Sequence, residues 1–498
     1  MTVTGVGPQS SLIVRALGDM RTQLGDLQRQ LGTGKKSTSY AGLGIERGLA
    51  VSLRGRLSAM DSYAATVTQI EVRMSVQQAT LGRIAELGRT VKSGTLGPYA
   101  IDSSGQTTTQ RAAVSQLDEI LGLLNTPAGD RYLFSGRAGD KPATDTLDHI
   151  LNGDGAKAGL RQIIAERNQA DLGANGLGRL AIPPAAGSAV SISEETPATV
   201  FGMKLASVSS LNGATVTGPT GSPASIGVNF TGTPNPGDAI AFSFTLPDGT
   251  TQPLKLTATN SAPPAAGEFT IGANPNATAA NLQASLTTAV GKLAATSLSA
   301  ASAMAAADNF FNVGAGQPPL RVSGSPFTAT ALAAGTAANT VSWYTGEMGT
   351  DPARGTAVAK VDDALSVAYG ARANEQAIRS TIASVAVFAS MTFSPSDPNA
   401  KDRFDDMKQR VAGNLSTPPA GQQKIEDIQA ELAFAQTTAE SATQRQQQRK
   451  ATLENLLQGI EQAPPEEVAA QILALQTRLQ ASLQTTSMLY QLSIVNYI

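Results

Sequence analysis

Apolar residues recur at heptad spacing near both ends of this 498-residue chain, and no other feature limits its possible folds so strongly. Near the N-terminus the apolar positions follow alternating steps of four and three, the pattern of a coiled-coil seam, and they are Ile13, Leu17, Met20, Leu24, Leu27 and Leu31. The pattern restarts at Leu49 and continues to Val91, which predicts a helix of about 45 residues and about 65 Å. Such a helix cannot bury its own apolar stripe, so the pattern predicts partner helices.

The C-terminal end contains two further helical patterns that can supply these partners. The same rhythm runs from Ile425 to Ile460, with alanines in the middle where two helices can approach closely. After Pro464 and Pro465 a last helix is predicted, and its apolar positions are Val468, Ile472, Leu475, Leu479 and Leu483. The periodicity fits an ordinary intramolecular bundle as well as pairing between chains, so it leaves both interpretations open.

The middle of the chain differs from both ends in its charge. Residues 183–340 contain 10 charged side chains in 158 positions, whereas the other 340 positions contain 66, and this shift predicts an inserted domain. Alternating apolar residues predict strands at 226–230 and 240–246, and the Pro-Asp-Gly-Thr turn at 247–250 predicts a hairpin to a strand at 254–256. A helical apolar face is formed by Leu282, Leu286, Ala289 and Leu293. The insert is therefore expected to be a small α+β domain.

The composition excludes several kinds of site. The chain has no cysteine and one histidine, His149, so disulfides, cysteine-based zinc sites and a cysteine nucleophile are excluded. The net charge of −2 argues against a dedicated nucleic-acid binder. No apolar run is long enough to span a membrane, and the N-terminus lacks a signal-peptide pattern. We expect an intracellular protein, or one exported without a cleaved signal, with no enzymatic activity, cofactor or metal site.

Two segments resemble functional sites, but a structural interpretation is favoured for each. The Gly-Thr-Gly-Lys sequence at 32–35 resembles a phosphate-binding loop, yet Arg29 stands where that motif needs glycine, and the segment follows a helix instead of a strand. The end of a helix is therefore predicted there. His149 lies near Asp145 and Asp148, but without a second histidine a solvated or capping role is favoured.

Several segments, taken in order along the chain, resemble those of the flagellin family, which comprises filament flagellins and hook–filament junction proteins. These segments are 24–35, 40–45 with the long helix that follows, 131–136, 341–347 and 369–375. The Arg-Tyr-Leu-Phe-Ser-Gly sequence at 131–136 is similar to a turn characteristic of the junction proteins. The motif positions are Gln28, Gly34, Arg131, Tyr132, Phe134, Gly136, Arg372, Asn374 and Glu375.

The resemblance implies a fold that is mainly α with β-rich outer parts. Both termini would form a long antiparallel coiled-coil or helical-bundle stem, which would carry a β-rich shoulder and an inserted α+β outer domain. The corresponding domains are 1–125 (N-terminal half of the stem), 126–182 (shoulder), 183–340 (variable outer domain), 341–361 (returning β segment) and 362–498 (C-terminal half of the stem). The loop at 36–40 departs from the pattern of many flagellins, and the tail at 496–498 is closer to that of the junction proteins.

The function implied by the resemblance is assembly. The chain would be a structural subunit of the bacterial flagellum at the hook–filament junction; a main filament flagellin is a second interpretation, and a secreted adhesive module on a coiled-coil stalk is a third. Its partners would be itself, other axial proteins (hook-associated proteins and flagellin), the type III export apparatus and a secretion chaperone. Nucleic acid and membrane insertion are not expected, and the location would be extracellular. The expected interface residues are Ile13, Leu17, Leu24, Leu27, Leu31, Leu475, Leu479, Leu489, Leu492, Ile494 and Tyr497.

Overall fold

The computed structural model describes the backbone of residues 8–314, 316–416 and 421–495 and, within these ranges, the side chains of residues 12–488. Helix accounts for about 52% of the chain and strand for about 16%, distributed over several small sheets. The expected mixture of helix and sheet, with helix in excess, is therefore confirmed.

Most of the described strands lie in the middle of the chain, and helices predominate near both ends. The helices of the described residues are α1 (Pro8–Thr33), α2 (Arg47–Gly94), α3 (Thr108–Leu124), α4 (Leu147–Asn152), α5 (Leu160–Leu172), α6 (Pro275–Leu293), α7 (Ser299–Phe311), α8 (Gln376–Ser390), α9 (Ala400–Ser416), α10 (Ile425–Glu461) and α11 (Pro465–Val495). The strands are β1 (Pro127–Ala128), β2 (Arg131–Tyr132), β3 (Leu180–Ala181), β4 (Ala189–Glu194), β5 (Lys204–Val208), β6 (Ala214–Thr220), β7 (Ser225–Phe230), β8 (Ala239–Thr245), β9 (Thr251–Thr259), β10 (Glu268–Thr270), β11 (Leu320–Val322), β12 (Leu332–Ala334), β13 (Val358–Lys360) and β14 (Ser366–Ala368).

The chain divides into two compact units, which are described in turn. The first unit comprises Met1–Gln69, Lys360–Ser366 and Thr437–Ile498. The second comprises Ile70–Ala359 and Val367–Gln436. Since α2 and α10 each have residues in both units, the division does not follow the ends of these helices.

The long helices form where the heptad pattern predicted them. Helix α2 has 48 residues and includes the whole of the predicted 49–91 helix, and α10 has 37 residues. Helix α1 ends at Thr33, and the next residue, Gly34, has a φ of 68°. The Gly34 N–H donates to the carbonyl of Gln30 at 2.8 Å, which closes the last turn of the helix. The segment that resembles a phosphate loop is therefore a helix end, as predicted.

The first unit is held together by two helix pairs. Helix α1 packs against α11, and because the Ala463 N–H donates to the carbonyl of Gly34 at 3.0 Å, α1 ends where α11 begins and the two run antiparallel. The start of α2 meets the end of α10 through a small core of Ala50, Leu53 and Ile460. These contacts bury only part of the apolar stripes, because large side chains such as Leu49 on α2 and Leu456 on α10 remain exposed.

Two four-stranded sheets form the β part of the second unit. Their strand orders are β3-β4-β7-β6 and β10-β9-β8-β5, and every pairing is antiparallel except that of β10 with β9. Phe242 and Phe244 on β8 and Leu282 and Leu286 on α6 are fully buried in the core that the sheets share with α6. The predicted strands at 226–230 and 240–246, the hairpin to 254–256 and the helix are all present.

Helix α7 lies inside the predicted insert but packs against α5 and α8. Its inner face consists largely of alanines, including Ala300, Ala303 and Ala307, which are fully buried. Small side chains allow helix axes to approach closely, so α7 can enter a helical core formed by residues from both sides of the insert. The number of charged residues cannot distinguish α7 from the inserted domain. A buried alanine-rich helix has few charged residues, and so has the insert.

The segment 126–182 differs from the expected β-rich shoulder. It contains only the short strands β1, β2 and β3, whereas α4 and α5 account for 19 of its residues. Leu160, Ile163, Ile164 and Ala170 recur at helical spacing and are buried, so the apolar pattern favours a helix. In the 341–361 segment the β structure is limited to β13 and a bridge between Thr144 and Tyr344.

Candidate functional site

Two of the sequence motifs that carry the family resemblance lie together in the second unit. The segment 131–136 begins with β2, and Ser135 pairs with Arg372 in an isolated antiparallel bridge. The Ala373 N–H donates to the carbonyl of Phe134 at 2.8 Å, and the Gly136 N–H donates to the carbonyl of Ala371 at 3.2 Å. We call the residues 131–137, 343–354 and 371–375 the motif cluster. Nothing in the sequence indicated that these segments would be in contact.

Arg372 holds the middle segment of the motif cluster through main-chain carbonyls. Its Nη1 donates to the carbonyl of Gly349 at 2.6 Å, and its Nη2 donates to the carbonyl of Asp351 at 2.5 Å. The Arg372 N–H donates to Glu375 Oε1 at 3.0 Å, and Glu375 is paired with Arg354. A planar guanidinium can make several such bonds at once, so Arg372 fixes the path of 349–351.

Arg137 provides the second attachment of the same segment. Its Nη1 lies 2.7 Å from Glu347 Oε1, and its Nη2 lies 2.7 Å from Asp351 Oδ2. The hydrogen bond to Asp351, together with the charge of Glu347, raises the pKa of Arg137. Sequence reasoning missed Arg137, Asp351 and Arg354, because isolated charged residues in loops have no periodicity that could mark them.

The remaining motif residues are structural. Phe134 is fully buried, and Asn374 Nδ2 donates to the carbonyl of Val313 at 2.9 Å. Arg131 Nη2 donates to the carbonyl of Gly136 at 3.3 Å, which closes the turn, while Tyr132 is half-buried. Gly136 has a φ of 65°, and a Cβ placed there would lie 2.6 Å from Glu347 Oε2. Both the backbone conformation and the space require glycine.

A buried aromatic pair supports the motif cluster from inside. Trp343 and Tyr344 are fully buried with ring centroids 5.9 Å apart, and Trp343 Nε1 donates to the carbonyl of Phe311 at 2.9 Å. Burial raises the pKa of Tyr344, although the Arg372 guanidinium acts in the opposite direction. The Tyr344 hydroxyl has no hydrogen-bond partner among the described residues. The contacts of the motif cluster thus fix the position of the 345–352 segment.

The predicted interface residues lie on α1 and α11, with different degrees of burial. On α1, Leu31 is exposed, Gln28 is also exposed, and Ile13, Leu17, Leu24 and Leu27 are half-buried. On α11, Leu475 is buried and Leu479 is half-buried. The side chains of Leu489, Leu492 and Ile494, and the whole of Tyr497, lie outside the described residues.

Other apolar residues on these two helices are more exposed than the predicted ones. Val14 on α1 is 64% exposed, and Leu473 and Met488 on α11 are 65% and 62% exposed. A helix that has buried its whole apolar face does not leave several large side chains in solvent. The described interface positions named from the sequence are less exposed than Val14, Leu473 and Met488, which do not belong to that set.

No protein-family model matches the chain, and no curated protein matches it.

Three further possibilities concern the environment of His149, a metal site and a membrane-spanning helix. His149 Nδ1 lies 3.0 Å from Asp145 Oδ1, and the Thr146 hydroxyl accepts from the His149 N–H at the start of α4. Thr146, and not His149, therefore caps α4, while the His149 side chain is partly exposed and contacts Asp145. Among the described residues there is no group of three or more histidine or carboxylate side chains that could hold a metal ion. Among the same residues, no helix is both long and apolar enough to cross a membrane.

Proposed function

We propose that the protein is a structural subunit of the bacterial flagellum, which assembles through its terminal helices at the hook–filament junction. The observation that carries the proposal is that α1 and α11 pair with each other and still expose large apolar side chains. Val14, Leu473 and Met488 each have more than 60% of their side-chain surface in solvent. Leu12 on α1 and Leu483 on α11 are exposed as well. Several large exposed apolar side chains on one helix pair support an interaction surface.

Burial of these side chains can drive polymerisation. A leucine or valine contributes about 1.5–3 kcal/mol when it is fully removed from water. Each subunit presents such residues on both α1 and α11, so the contributions add up over every contact between neighbours. Contacts between different surfaces of identical subunits form a ring if the rotation between neighbours closes, and otherwise continue as a helical filament. Assembly then stabilises each subunit by mass action.

Different parts of the chain would have different roles. Both terminal segments would form a coiled-coil stem, and the α+β insert would project outward, where its low charge suits a surface without a fixed partner. Export through the type III apparatus would need no cleaved signal and would bring the subunit to the cell exterior. Its partners would be further copies, the other axial proteins and, before export, a chaperone. The proposed role involves neither catalysis nor a cofactor, nucleic acid or a membrane.

Removal of one terminal helix tests assembly. Variants that lack residues 1–30 or 470–498 are expected to lose polymerisation, because each lacks one helix of the antiparallel pair. Their second unit should still fold, and the near-ultraviolet signal of the single tryptophan, Trp343, should persist because that residue lies in the second unit. Incorporation of either variant into filaments at the rate of the full chain would refute the assembly proposal.

A different deletion tests whether the chain is an adhesive module. Removal of 183–340 would take away α7, which packs in the helical core of the second unit. A deletion of residues 183–293, bridged by a short Gly/Ser linker, retains α7 and removes both sheets except β3. An axial subunit should still assemble after this change. Loss of cell adhesion with normal filaments would instead favour the adhesive module.

The position in the flagellum separates the junction protein from the main filament flagellin. The resemblance of the 131–136 turn to the junction proteins favours the first. Immunogold labelling against the insert should then appear only at the hook–filament boundary. Labelling along the whole filament would overturn the junction assignment and support the flagellin interpretation.

A further inference from the structure

The second unit contains a cavity with a mixed polar and apolar lining, which has no part in the motif cluster. The cavity has a volume of about 390 Å³ and lies between α5, the end of α8, the start of α9 and the loop that precedes α3. Small-molecule sites have volumes of about 300–1,000 Å³. The size therefore suits a small organic molecule.

The charges on the cavity wall are positive. Arg161 on α5 and Arg403 on α9 both line it, and no carboxylate does. The two nearest acidic groups that the wall residues contact are already engaged, since Asp397 pairs with Arg403 and Asp102 pairs with Arg111. Arg161 makes no ion pair among the described residues and donates only to the neutral Asn152 Oδ1 at 2.7 Å. The charge of Arg161 is therefore not balanced.

One hydrogen-bond donor of the cavity wall has no partner. The guanidinium of Arg403 retains a buried Nε without a partner among the described residues. The charged group of an anionic ligand could accept a hydrogen bond from this Nε–H.

Neutral polar groups cover the rest of the wall. Hydroxyl groups come from Ser104, Ser299, Ser390 and Thr392, and an amide comes from Asn168. Asn168 Nδ2 donates to Ser299 Oγ at 2.7 Å, so this pair is ordered before any ligand arrives. Hydroxyl and amide groups can exchange hydrogen bonds with the hydroxyls of a ligand. Ile164 and Met391 supply an apolar surface against which a carbon skeleton can pack.

We propose that this cavity binds a small hydroxylated organic anion of the sugar-acid class. Arg161 holds the carboxylate. Arg403, which is paired with Asp397, donates a hydrogen bond from its free Nε on the α9 side. The hydroxyl and amide groups of the wall contact the ligand hydroxyls. The site does not depend on the assembly function, because every wall residue belongs to the second unit.

Isothermal titration calorimetry of the full chain with three probes tests this assignment. Sodium glucuronate is the probe for a sugar acid, glucose for the neutral sugar and sodium sulfate for the charge alone. Glucuronate should bind about tenfold or more tightly than glucose, because a charge-assisted hydrogen bond is roughly twice as strong as a neutral one. Equal binding of both sugars, or absence of glucuronate binding, would overturn the proposal. Sulfate binding as tight as that of glucuronate would refute the role of the hydroxyl-rich wall.

Matched variants locate the binding event. Arg161→Gln should weaken glucuronate binding about tenfold or more, since it removes the unbalanced charge and leaves an amide of similar length. Arg89→Gln is the control, because Arg89 is exposed on α2 and does not line this cavity. Arg161 is itself exposed, so its variant should fold. An unchanged affinity in Arg161→Gln, or an equal loss in Arg89→Gln, would place the binding elsewhere and refute the site.

Discussion

Substitution of Leu473 by glutamine separates assembly from folding of the subunit. Leu473 lies on α11 and is 65% exposed, whereas Leu475, two residues further on, is only 7% exposed. The two leucines therefore belong to different faces of the same helix. A polar side chain at 473 removes apolar surface that the isolated subunit hardly uses. The same change at 475 removes surface that already contacts the rest of the first unit.

The exposure sets the expected magnitude. Complete burial of a leucine contributes about 1.5–3 kcal/mol, and about two thirds of this contribution is still available at Leu473 in the isolated chain. If a neighbouring subunit buries that surface, Leu473→Gln should weaken each contact by roughly 1–2 kcal/mol. This corresponds to an increase of about 5–30-fold in the critical concentration for polymerisation. The free energy of unfolding of the monomer should change by less than about 0.5 kcal/mol.

Sedimentation of assembled protein against total protein concentration measures the first quantity, and urea unfolding followed by far-ultraviolet circular dichroism measures the second. Leu475→Gln is the comparison variant and should destabilise the monomer by about 2–5 kcal/mol, the cost of truncating a buried leucine. An unchanged critical concentration for Leu473→Gln would refute the inference that this exposed face is an assembly surface. A monomer destabilised as much as by Leu475→Gln would show that the residue is used within the subunit.

Three further predictions concern the motif cluster. Gly136→Ala should cost more than the roughly 1–2 kcal/mol of a left-handed alanine, because its Cβ would lie 2.6 Å from Glu347 Oε2; Gly129→Ala, with a φ of 70° and nothing within 4 Å, isolates the backbone cost, and equal urea midpoints would contradict the clash. Tyr344→Phe should be neutral or stabilising in the same assay, since it removes a buried hydroxyl without a described partner. The folded-state pKa of Tyr344 is raised. The contribution of this shift to the free energy of unfolding is therefore complete below the ordinary tyrosine pKa near 10 and is lost as the pH rises further. Tyr344→Phe should not show this loss of stability at alkaline pH. Arg137→Gln should lower the urea midpoint only slightly, and not at all at high salt, because Arg137 is 53% exposed; a large decrease that salt does not reduce would contradict this.

The parts of the fold that could be predicted are those with a regular period. The steps of three and four from Leu49 to Val91 are enough to predict α2, and alternation around Phe242 and Phe244 is enough to predict β8. Both patterns show which side of a helix or strand is buried, and a single sequence contains that information. The segment 126–182 was predicted wrongly because its β character came from a resemblance, while the helical spacing of its own residues was not used.

The motif cluster shows what periodicity cannot predict. Arg372 and Gly136 were recognised as motif residues, but their contact joins positions that are far apart in the chain. The bonds from Arg372 go to main-chain carbonyls, which every residue possesses, so no side-chain type at 349 or 351 could reveal the partner. The cavity near Arg161 was missed for a related reason, because its wall consists of serines, an asparagine and arginines drawn from several separate segments.

The two attachments of the 345–352 segment also differ in how they respond to conditions. Arg372 is bound to neutral carbonyls, so protonation of acidic groups does not remove its two hydrogen bonds. The exposed Arg137 is bound to Glu347, whose side chain is only 14% exposed, and to the exposed Asp351, so salt weakens this attachment. If the segment changes its conformation when subunits assemble, the Arg137 side should open first, because ion pairs of an exposed side chain are weak and are screened by salt. The stronger attachment through Arg372 then keeps the segment on the second unit, and any rearrangement is limited to the residues that Arg137 holds.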